Sequence, residues 1–399
     1  MKSVDQDDKG TPWREYFSAA IGELKRKDLY RSVRVLESPV STRVRVDGRP
    51  CLLFCSNDYL GLAADDRMKR ASARALEAWG TGAGASRLIS GNTALYRDLE
   101  DDLRRFKKTA GARVFACGFS ANIGVISSLA GEGDRVLSDA LNHASIVDAC
   151  RLCGAEIGIY AHGDVAHLER LLAGGRPAGR TLVVTDGVFS MDGDLAPIPE
   201  IHAACRRYGA LLLVDDAHGT GVIGPGGRGT LEHLDMQRDD ILQVGTFSKA
   251  LGSLGGFVTG SGPAMDFILN RARSLIYSTG LPPAVLAANR EAIRIVREEP
   301  ERRAHLRELV SFLGRGLERL GIAVPPGPAP ILPVIIGDTK ETVSLSRYLM
   351  DKGIFVAPIR PPTVPEGKCR LRVSLSCRHT EEDLDQLVTA LAAWGRMGS

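Results

Sequence analysis

The sequence predicts an α/β protein with a mostly parallel central sheet, because three short apolar runs each end in polar residues. The runs occupy residues 182–185, 211–214 and 241–247, and turn-forming residues bound each of them. A continuous apolar run of this length is typical of a strand buried on both faces of a parallel sheet. Ligands of such sheets bind beyond the carboxyl ends of the strands. We therefore expect the chemistry to lie where these runs end.

Three side chains with matching chemistry follow two of these runs. Asp215 ends the run 211–214, His218 lies shortly after it, and Lys249 follows the run 241–247. A lysine that bonds to an aldehyde and an acid that pairs with a pyridinium nitrogen are the groups that hold pyridoxal phosphate (PLP). The sequence therefore predicts a PLP site at this edge of the sheet.

The composition is that of an ordinary globular chain. Its 399 residues suffice for two domains and a large core. The formal net charge of +3 is too small to indicate a nucleic-acid or anionic-membrane partner. No apolar stretch is long enough to span a bilayer, and the polar residues 1–10 lack the apolar core of a secretory signal. We expect a cytoplasmic protein with a loose tail at residues 1–10 and no nucleic-acid or membrane partner.

Neither the cysteines nor the acidic residues indicate a metal. The eight cysteines are scattered, and Cys150 and Cys153 form a CxxC without a second pair. We expect them to be reduced, buried thiols that behave as small hydrophobic residues. Asp192 and Asp194 have a spacing that suits a metal, but no further ligands follow, so we predict turn residues there.

The first elements can be predicted in order. Apolar residues recur at helical spacing over residues 13–27, which predicts a helix. Asp47-Gly48 then predicts a two-residue hairpin turn. Residues 80–93 are rich in glycine, but no strand precedes them, so they are not a Rossmann or P-loop fingerprint. Residues 115–130 predict a strand end, a glycine turn and a helix whose free N–H groups suit a phosphate.

The C-terminal part predicts a second, smaller domain. A long charged helix covers residues 283–303, helix and strand then alternate, and a last helix runs over residues 381–394. This is an α+β layout. The predicted divisions are an N-terminal arm and hairpin at 1–55, a large PLP-binding domain at 56–282 and a small domain at 283–399.

Three motifs together resemble those of the α-oxoamine synthases: SNDYLGL, VDDAHGTGVIG and GTFSKALGSLGG. The resemblance extends from about residue 29 to the C-terminus. It implies the aspartate-aminotransferase fold (PLP fold type I), with a large mostly parallel domain and a smaller α+β domain. It also implies a PLP-dependent acyltransferase that condenses an amino acid with an acyl thioester and releases CO2. SRLISG favours the branch that joins L-alanine to a pimeloyl thioester on the route to biotin, over glycine-using relatives.

The resemblance also implies roles for individual residues. Lys249 holds the cofactor and then acts as a base, Asp215 stabilises the protonated ring nitrogen, His143 stacks on the ring, and His218 orients the cofactor. The residues implied to bind the cofactor are Gly118, Phe119, His143, Ser190, Asp215, His218, Thr246, Lys249, Ser278 and Thr279. Those implied to bind the amino acid or the acyl substrate are Arg31, Asn57, His143, Thr363 and Arg372.

Several assignments have a plainer alternative. Asn57 is also placed to cap the helix that begins near Asp65. Arg31 is alternatively a solvated arginine, and Arg372 a solvent-side strand residue. The segment 278–279, implied to reach the phosphate in the other subunit, is alternatively a turn before a helix.

The resemblance implies a homodimer with shared active sites. It leaves the acyl carrier open between coenzyme A and acyl carrier protein. Rival activities with the same cofactor site are a glycine C-acetyltransferase and a long-chain acyl amino-ketone synthase. A non-catalytic partner or sensor is a remote alternative, because Lys249 is present. A Rossmann oxidoreductase is weaker still, since no GxGxxG follows the first strand.

Overall fold

The computed structural model describes residues 12–175, 179–325 and 327–397. The tail predicted at residues 1–10 lies outside the described residues. The strands are β1 (Arg43–Val46), β2 (Arg49–Leu53), β3 (Gly111–Phe115), β4 (Arg135–Asp139), β5 (Glu156–Tyr160), β6 (Thr181–Asp186), β7 (Leu211–Asp215), β8 (Ile241–Thr246), β9 (Gly256–Gly260), β10 (Ile331–Gly337), β11 (Ile354–Phe355), β12 (Pro358–Ile359) and β13 (Cys369–Ser374). The helices are α1 (Pro12–Arg26), α2 (Asp66–Trp79), α3 (Ala94–Lys107), α4 (Gly118–Leu129), α5 (Ala144–Cys153), α6 (Val165–Ala173), α7 (Ile198–Tyr208), α8 (Thr230–His233), α9 (Gly262–Arg271), α10 (Arg273–Ile276), α11 (Pro283–Glu298), α12 (Pro300–Glu318), α13 (Thr339–Asp351) and α14 (Glu381–Met397).

A seven-stranded sheet in the order β3-β9-β8-β7-β6-β4-β5 organises the larger part of the molecule. The five strands from β8 to β5 run parallel, and β9 runs antiparallel to both of its neighbours. The predicted mostly parallel sheet is therefore confirmed. The three apolar runs of the sequence are β6, β7 and β8, which lie side by side.

Both faces of these strands are covered, as their continuous apolar character predicts. In β7, Leu213 packs into one hydrophobic cluster with helix α4, whereas Leu212 and Val214 pack into another with helix α7. Polar side chains can then approach only at the strand ends. This arrangement places the ends of β4, β6, β7 and β8 at one edge.

The predicted N-terminal helix and hairpin both form, and the helix begins and ends one residue earlier than predicted. Helix α1 forms, and β1 pairs antiparallel with β2. Asp47 and Gly48 have φ values of 46° and 79°, and positive φ at both central residues is what a type I′ hairpin turn requires. The glycine-rich stretch before α3 contains one feature that was not predicted, a single π-helical turn at Arg87–Gly91.

The single long helix predicted at residues 283–303 is wrong. The structure has two helices there, α11 and α12, separated at Glu299. Glu299 has φ −119° and ψ 67°, because the ring of the following Pro300 excludes the helical conformation at the residue before it.

The C-terminal segment builds two small sheets. One has the order β10-β13-β12, and the other, β1-β2-β11, joins the N-terminal hairpin to the segment after α13. The predicted α+β character is thus confirmed, while the domain divisions at 1–55, 56–282 and 283–399 remain predictions. All eight cysteines are free, and within the described ranges no helix is long and apolar enough to cross a membrane.

Candidate active site

Polar side chains converge at the carboxyl edge of the large sheet. His143 follows β4, Asp186 ends β6, Asp215 ends β7, and Lys249 follows β8. Asp186 and Asp215 are register partners on adjacent strands. The parallel order therefore brings together residues that lie far apart in the sequence.

Lys249 and His218 form the centre of the site. The Nζ atom of Lys249 lies 2.8 Å from Nε2 of His218, and Nδ1 of His218 lies 2.7 Å from the hydroxyl of Tyr59. Burial lowers the pKa of His218 well below its usual value, and the charges of Lys249 and Arg372 lower it further. The imidazole is therefore neutral and bridges the lysine to the tyrosine.

The amine of Lys249 is easily deprotonated. Burial lowers its pKa to about 8, and the charge of Arg372 adds to this effect. Asp215 and Asp186 oppose it because their negative charges favour the ammonium form. Near neutral pH a useful fraction of the amine is thus free to act as a nucleophile or base.

The Asp215 carboxylate is buried and held by two donors. Asn122 Nδ2 donates to Oδ2 at 2.6 Å, and the Ala217 N–H donates to Oδ1 at 2.9 Å. Asp186 lies beside it, and its pKa is raised well above the ordinary value, by burial first and then by the charge of Asp215. Asp186 therefore retains a proton more readily than a free carboxyl group does.

His143 caps the start of α5. The ring Nδ1 of His143 accepts from the Ser145 backbone N–H at 3.2 Å and lies 2.7 Å from the Ser145 hydroxyl. The backbone N–H of His143 donates to Oδ2 of Asp186 at 2.9 Å. Burial lowers the pKa of His143, and the charge of Asp215 opposes this. These contacts fix the ring position close to the two carboxylates.

Arg372 is a buried residue of the site, so the alternative of a solvent-side strand arginine is wrong. All of β13 is buried, and Arg372 is only 7% exposed. Its guanidinium donates to Asn57 Oδ1 at 3.0 Å, to the Tyr59 hydroxyl at 3.2 Å and to the Ser190 carbonyl. The guanidinium of Arg372 therefore contacts Tyr59, which in turn holds His218.

Asn57 does not cap a helix. The cap of α2 is Asp65, whose side chain accepts from the Arg67 N–H. The Asn57 side-chain oxygen instead accepts from both Arg372 and Tyr59. The structure thus places Asn57 beside the arginine predicted to bind a carboxylate.

The start of α4 supplies backbone donors. Cys117 and Ser120 form a reciprocal cap around Gly118 and Phe119. In the part of the chain that the structure describes, the N–H groups of Gly118 and Phe119 have no hydrogen-bond partner. Thr246 ends β8 and donates to the Gly255 carbonyl at 2.7 Å, which fixes the turn leading to Lys249.

Other predicted residues lie away from this centre. Thr279 forms an isolated bridge with Ser86 and is exposed, and Ser278 lies next to it. Arg31 Nη2 is 3.5 Å from the Thr363 hydroxyl, at the limit of a hydrogen bond, and both residues are exposed. The structure therefore joins the two predicted acyl-substrate residues to each other, outside the lysine centre.

Three residues of the site were not predicted: Tyr59, Asn122 and Asp186. Asp186 follows an apolar strand just as Asp215 does, so the same pattern could have identified it. Tyr59 lies within SNDYLGL, but its partners are 159 and 313 residues away. Only the fold reveals those contacts.

Asp192 lies in a turn, as predicted, and Asp194 lies in the loop directly after that turn. Each is paired with a basic side chain: Asp192 with Arg370, and Asp194 with His162 at 2.9 Å. Among the described residues, no group of three or more His, Cys, Asp or Glu is arranged to hold a metal ion.

The side chains at this edge fit PLP. Lys249 offers an amine with a lowered pKa, Asp215 a buried carboxylate, and the start of α4 two backbone donors that suit a phosphate.

A mostly parallel sheet with this lysine and aspartate at its carboxyl edge defines a PLP-dependent enzyme of fold type I. The chain belongs to the aminotransferase class I and II family, whose model matches residues 49–391. PLP dependence is a property of this family.

Curated relatives cover nearly the whole chain. The 8-amino-7-oxononanoate synthase of Geobacter sulfurreducens is 49% identical over 379 residues, covering 94% of this chain and 97% of the relative. The enzyme of the same name from Methylococcus capsulatus is 48% identical over 376 residues, with the same two coverages. These relatives confirm the predicted resemblance to the α-oxoamine synthases.

Solved structures agree with this assignment. Serine palmitoyltransferase from S. paucimobilis, with a bound PLP–myriocin aldimine, superposes with a TM-score of 0.91 at 33% identity, covering 96% of this chain and 97% of that chain. An 8-amino-7-oxononanoate synthase from Francisella tularensis has a TM-score of 0.77 at 24% identity, covering 87% and 98%, and shares the fold.

Proposed function

We propose that this protein condenses L-alanine with a pimeloyl thioester to give 8-amino-7-oxononanoate, CO2 and the free carrier thiol, a step of biotin biosynthesis. The observation that carries the proposal is the Lys249 amine beside neutral His218, next to two buried strand-end carboxylates. The choice of substrates rests on the relatives that are 43–49% identical and named 8-amino-7-oxononanoate synthase.

The residues at the sheet edge would hold PLP. Lys249 would bind its aldehyde, Asp215 would pair with its ring nitrogen, and the N–H groups of Gly118 and Phe119 suit its phosphate. His143, fixed by its cap contacts, is available to lie against the ring. When bound, PLP supplies an aldehyde for amines and a ring that takes up the electrons released at the α-carbon of the substrate.

Four further residues are assigned to the cofactor: Ser190, Thr246, Ser278 and Thr279. Ser190 lies next to Arg372 through its carbonyl, and its hydroxyl is proposed to bond the phenolic oxygen of the cofactor. Thr246 stabilises the turn before Lys249. Ser278 and Thr279 are proposed to bind the phosphate of the cofactor in the partner subunit.

Arg372 and Asn57 would bind the carboxylate of the amino acid. A guanidinium fork can bind both oxygens of a carboxylate. Its present partners, the Asn57 oxygen and the Tyr59 hydroxyl, hold the fork in place without neutralising it. The amino acid is thereby oriented with its α-carbon toward the lysine end of the site.

Lys249 would move the α-proton. With a pKa of about 8, its amine is neutral often enough to accept the proton and acidic enough, once protonated, to return it. The hydrogen bond to His218 holds the amine in place, and Tyr59 holds His218 in turn. Loss of the proton leaves the α-carbon able to attack the thioester carbonyl, after which the thiol and CO2 depart.

A second candidate is a serine palmitoyltransferase-like activity. The observation in its favour is the TM-score of 0.91 to two solved serine palmitoyltransferases, at 33–34% identity. The same residues would hold the cofactor and the amino acid, so only the substrates differ.

We further propose a cytoplasmic homodimer whose active sites are shared. Helix α1 supports this, because it buries none of its residues in the protomer while Trp13, Tyr16 and Phe17 are more than half exposed. Size-exclusion chromatography with light scattering tests the dimer, and a monomer with full activity contradicts shared sites.

The experiment that tests the function is a substrate panel. Purified enzyme with PLP is given alanine, glycine or serine with pimeloyl, acetyl or palmitoyl thioesters, and CO2 release and product mass are followed. We expect turnover with alanine and a pimeloyl thioester to exceed every other pair. Preference for serine with a palmitoyl thioester establishes the second candidate instead.

A further inference from the structure

A chain of buried hydrogen bonds joins Asp215 to His143 through two side chains outside the predicted site, Asn122 on α4 and Ser145 on α5. Both of these side chains belong to residues that are only 1% exposed. The amide nitrogen of Asn122 lies 2.6 Å from Oδ2 of Asp215 and 2.8 Å from the Ser145 hydroxyl. That hydroxyl lies 2.7 Å from Nδ1 of His143. The chain therefore connects the carboxylate proposed to pair with the cofactor ring to the imidazole proposed to lie against it.

The direction of each hydrogen bond in this chain is fixed. A carboxylate only accepts hydrogen bonds, so the Asn122 amide must turn its NH2 group, and not its oxygen, toward Asp215. The second hydrogen of that NH2 group then goes to the Ser145 oxygen. Because an amide NH2 group does not accept, the single hydroxyl hydrogen of Ser145 is left for Nδ1 of His143.

Nδ1 of His143 is consequently an acceptor. The backbone N–H of Ser145 agrees with this direction, since it also donates to Nδ1, at 3.2 Å. In a neutral imidazole one nitrogen carries the proton and the other accepts, so the proton of His143 is on Nε2. The part of the chain that the structure describes offers Nε2 no hydrogen-bond partner. This N–H group is thus available to a ligand.

The surroundings of His143 act on its protonation in opposite directions. The titratable groups near it are Asp215, Asp186, Lys249 and His218. Burial lowers the pKa of His143 most, the charge of Asp215 raises it, and the charge of Lys249 lowers it. A protonated ring would also carry a hydrogen on Nδ1, directed against both donors of Ser145. The hydrogen bonds from Ser145 therefore oppose protonation in addition to burial.

We propose that Asn122 and Ser145 are positioning residues, which hold His143 in the neutral form with its proton on Nε2. The ring then offers the substrate a hydrogen-bond donor and not a lone pair. This inference rests on the proposed function, because it is a substrate of that reaction that meets the donor. Asn122 acts at both ends, since the same NH2 group stabilises the ionised form of Asp215.

Nitrogen NMR of the PLP-loaded enzyme detects the position of this proton. The chain has eight histidines, so with 15N-labelled histidine the signals of His143 are those missing from His143→Gln. In the wild type near neutral pH we expect a pyridine-like signal from Nδ1 and a pyrrole-like signal from Nε2. A proton on Nδ1, or a ring divided evenly between the two tautomers, overturns the proposal without any further variant.

Two variants interrupt the chain of hydrogen bonds, Ser145→Ala and Asn122→Ala. The first removes a donor to Nδ1, and the second leaves the Ser145 hydroxyl free to turn and accept from a protonated ring. In each, the titration midpoint of His143 should rise by about one pH unit, the effect of losing one hydrogen bond to the neutral ring. Ser128→Ala removes a buried hydroxyl that donates to the Val125 carbonyl on the same helix as Asn122, and should titrate like the wild type. Unchanged midpoints in both chain variants contradict the proposed roles.

Catalysis separates this inference from the proposed function. With alanine and a pimeloyl thioester, the acidic limb of kcat/KM for alanine should move to higher pH by the same amount in both variants, and Ser128→Ala should follow the wild type. If no thioester reacts but the NMR midpoints shift, the proposed function fails and the positioning roles stand. If turnover is full and the midpoints of all four proteins coincide, the positioning roles fail and the function stands.

Discussion

Lys249 and His218 are in direct contact, with 2.8 Å between Nζ and Nε2. The histidine is neutral because burial lowers its pKa, so it holds the lysine without adding a positive charge. The lysine can then lose its proton at a pH far below that of a free side chain. The contact thus links the position of the amine to its reactivity.

The lowered pKa of Lys249 can be measured chemically. Because burial lowers it to about 8, the amine is protonated below that pH and nucleophilic above it. In protein stripped of PLP, the rate of labelling by trinitrobenzenesulfonate, mapped by peptide mass, should rise with a midpoint near pH 8. A midpoint for Lys249 near the free-lysine value of about 10.4 contradicts the prediction.

Arg372 should determine affinity for the amino acid. Arg372→Lys keeps the charge but loses the fork, so KM for alanine should rise about 10- to 100-fold, the loss of one or two charge-assisted hydrogen bonds. KM for the acyl thioester should change little. Arg378→Lys, at a half-exposed position beyond the end of β13, is the matched control. An equal rise in both KM values shows instead that Arg372 acts on the whole site.

Much of this site could be predicted because its residues directly follow apolar strands. Lys249 and Asp215 stand at strand ends, and the parallel order makes such ends neighbours. Asp186 stands in the same kind of position, at the end of β6, but it lies outside the three family motifs. The same strand-end pattern therefore predicts all three residues.

The remaining contacts could not be predicted, since they join distant parts of the chain. Tyr59 meets His218 and Arg372 only after the N-terminal segment packs against β13. The burial of Arg372 is a similar case. Its alternation with apolar residues is typical of a half-exposed strand, but β13 lies between β10 and β12 and is covered on both faces. Local periodicity does not reveal what covers a strand.

His162 should stabilise the protein in a pH-dependent way. It lies 3.0 Å from Asp139 and 2.9 Å from Asp194, and these hydrogen bonds raise its pKa to about 10, that of Asp139 contributing most. Because the folded-state pKa exceeds the unfolded value of about 6.5, this stabilisation is complete below pH 6.5 and is lost as the pH rises through 10.

The corresponding variant is His162→Gln. We expect a loss of about 2 kcal/mol in the free energy of unfolding at pH 6, shrinking toward zero at pH 10, measured by urea denaturation at both values. His305→Gln removes a half-exposed histidine near Glu308 and should have little effect at either pH. A loss that is the same at pH 6 and pH 10 shows that His162 acts by packing alone, for example against Phe189.

A buried ion pair lies next to the site, between Lys107 and Asp216, the residue that follows Asp215. The Asp216 side chain has no solvent exposure, nor does that of Lys107, and the two are 3.4 Å apart. Asp216 also accepts from Gln243 at 2.9 Å, and Lys107 donates to Thr220 at 2.7 Å and to the Arg228 carbonyl at 2.6 Å. These bonds hold the loop after β7, which carries His218.

Removing both members of this pair should cost less than the sum of the two single losses. Asp216→Asn leaves the Lys107 ammonium buried without its counter-charge, and Lys107→Met does the same to the carboxylate, so each should cost about 3–5 kcal/mol. The double variant leaves no uncompensated charge, and its loss should be smaller than the sum of the two by roughly 2 kcal/mol or more. Urea denaturation of the four proteins gives this coupling free energy. If the two losses simply add, the ion pair does not stabilise the loop, and the neutral hydrogen bonds alone explain its order.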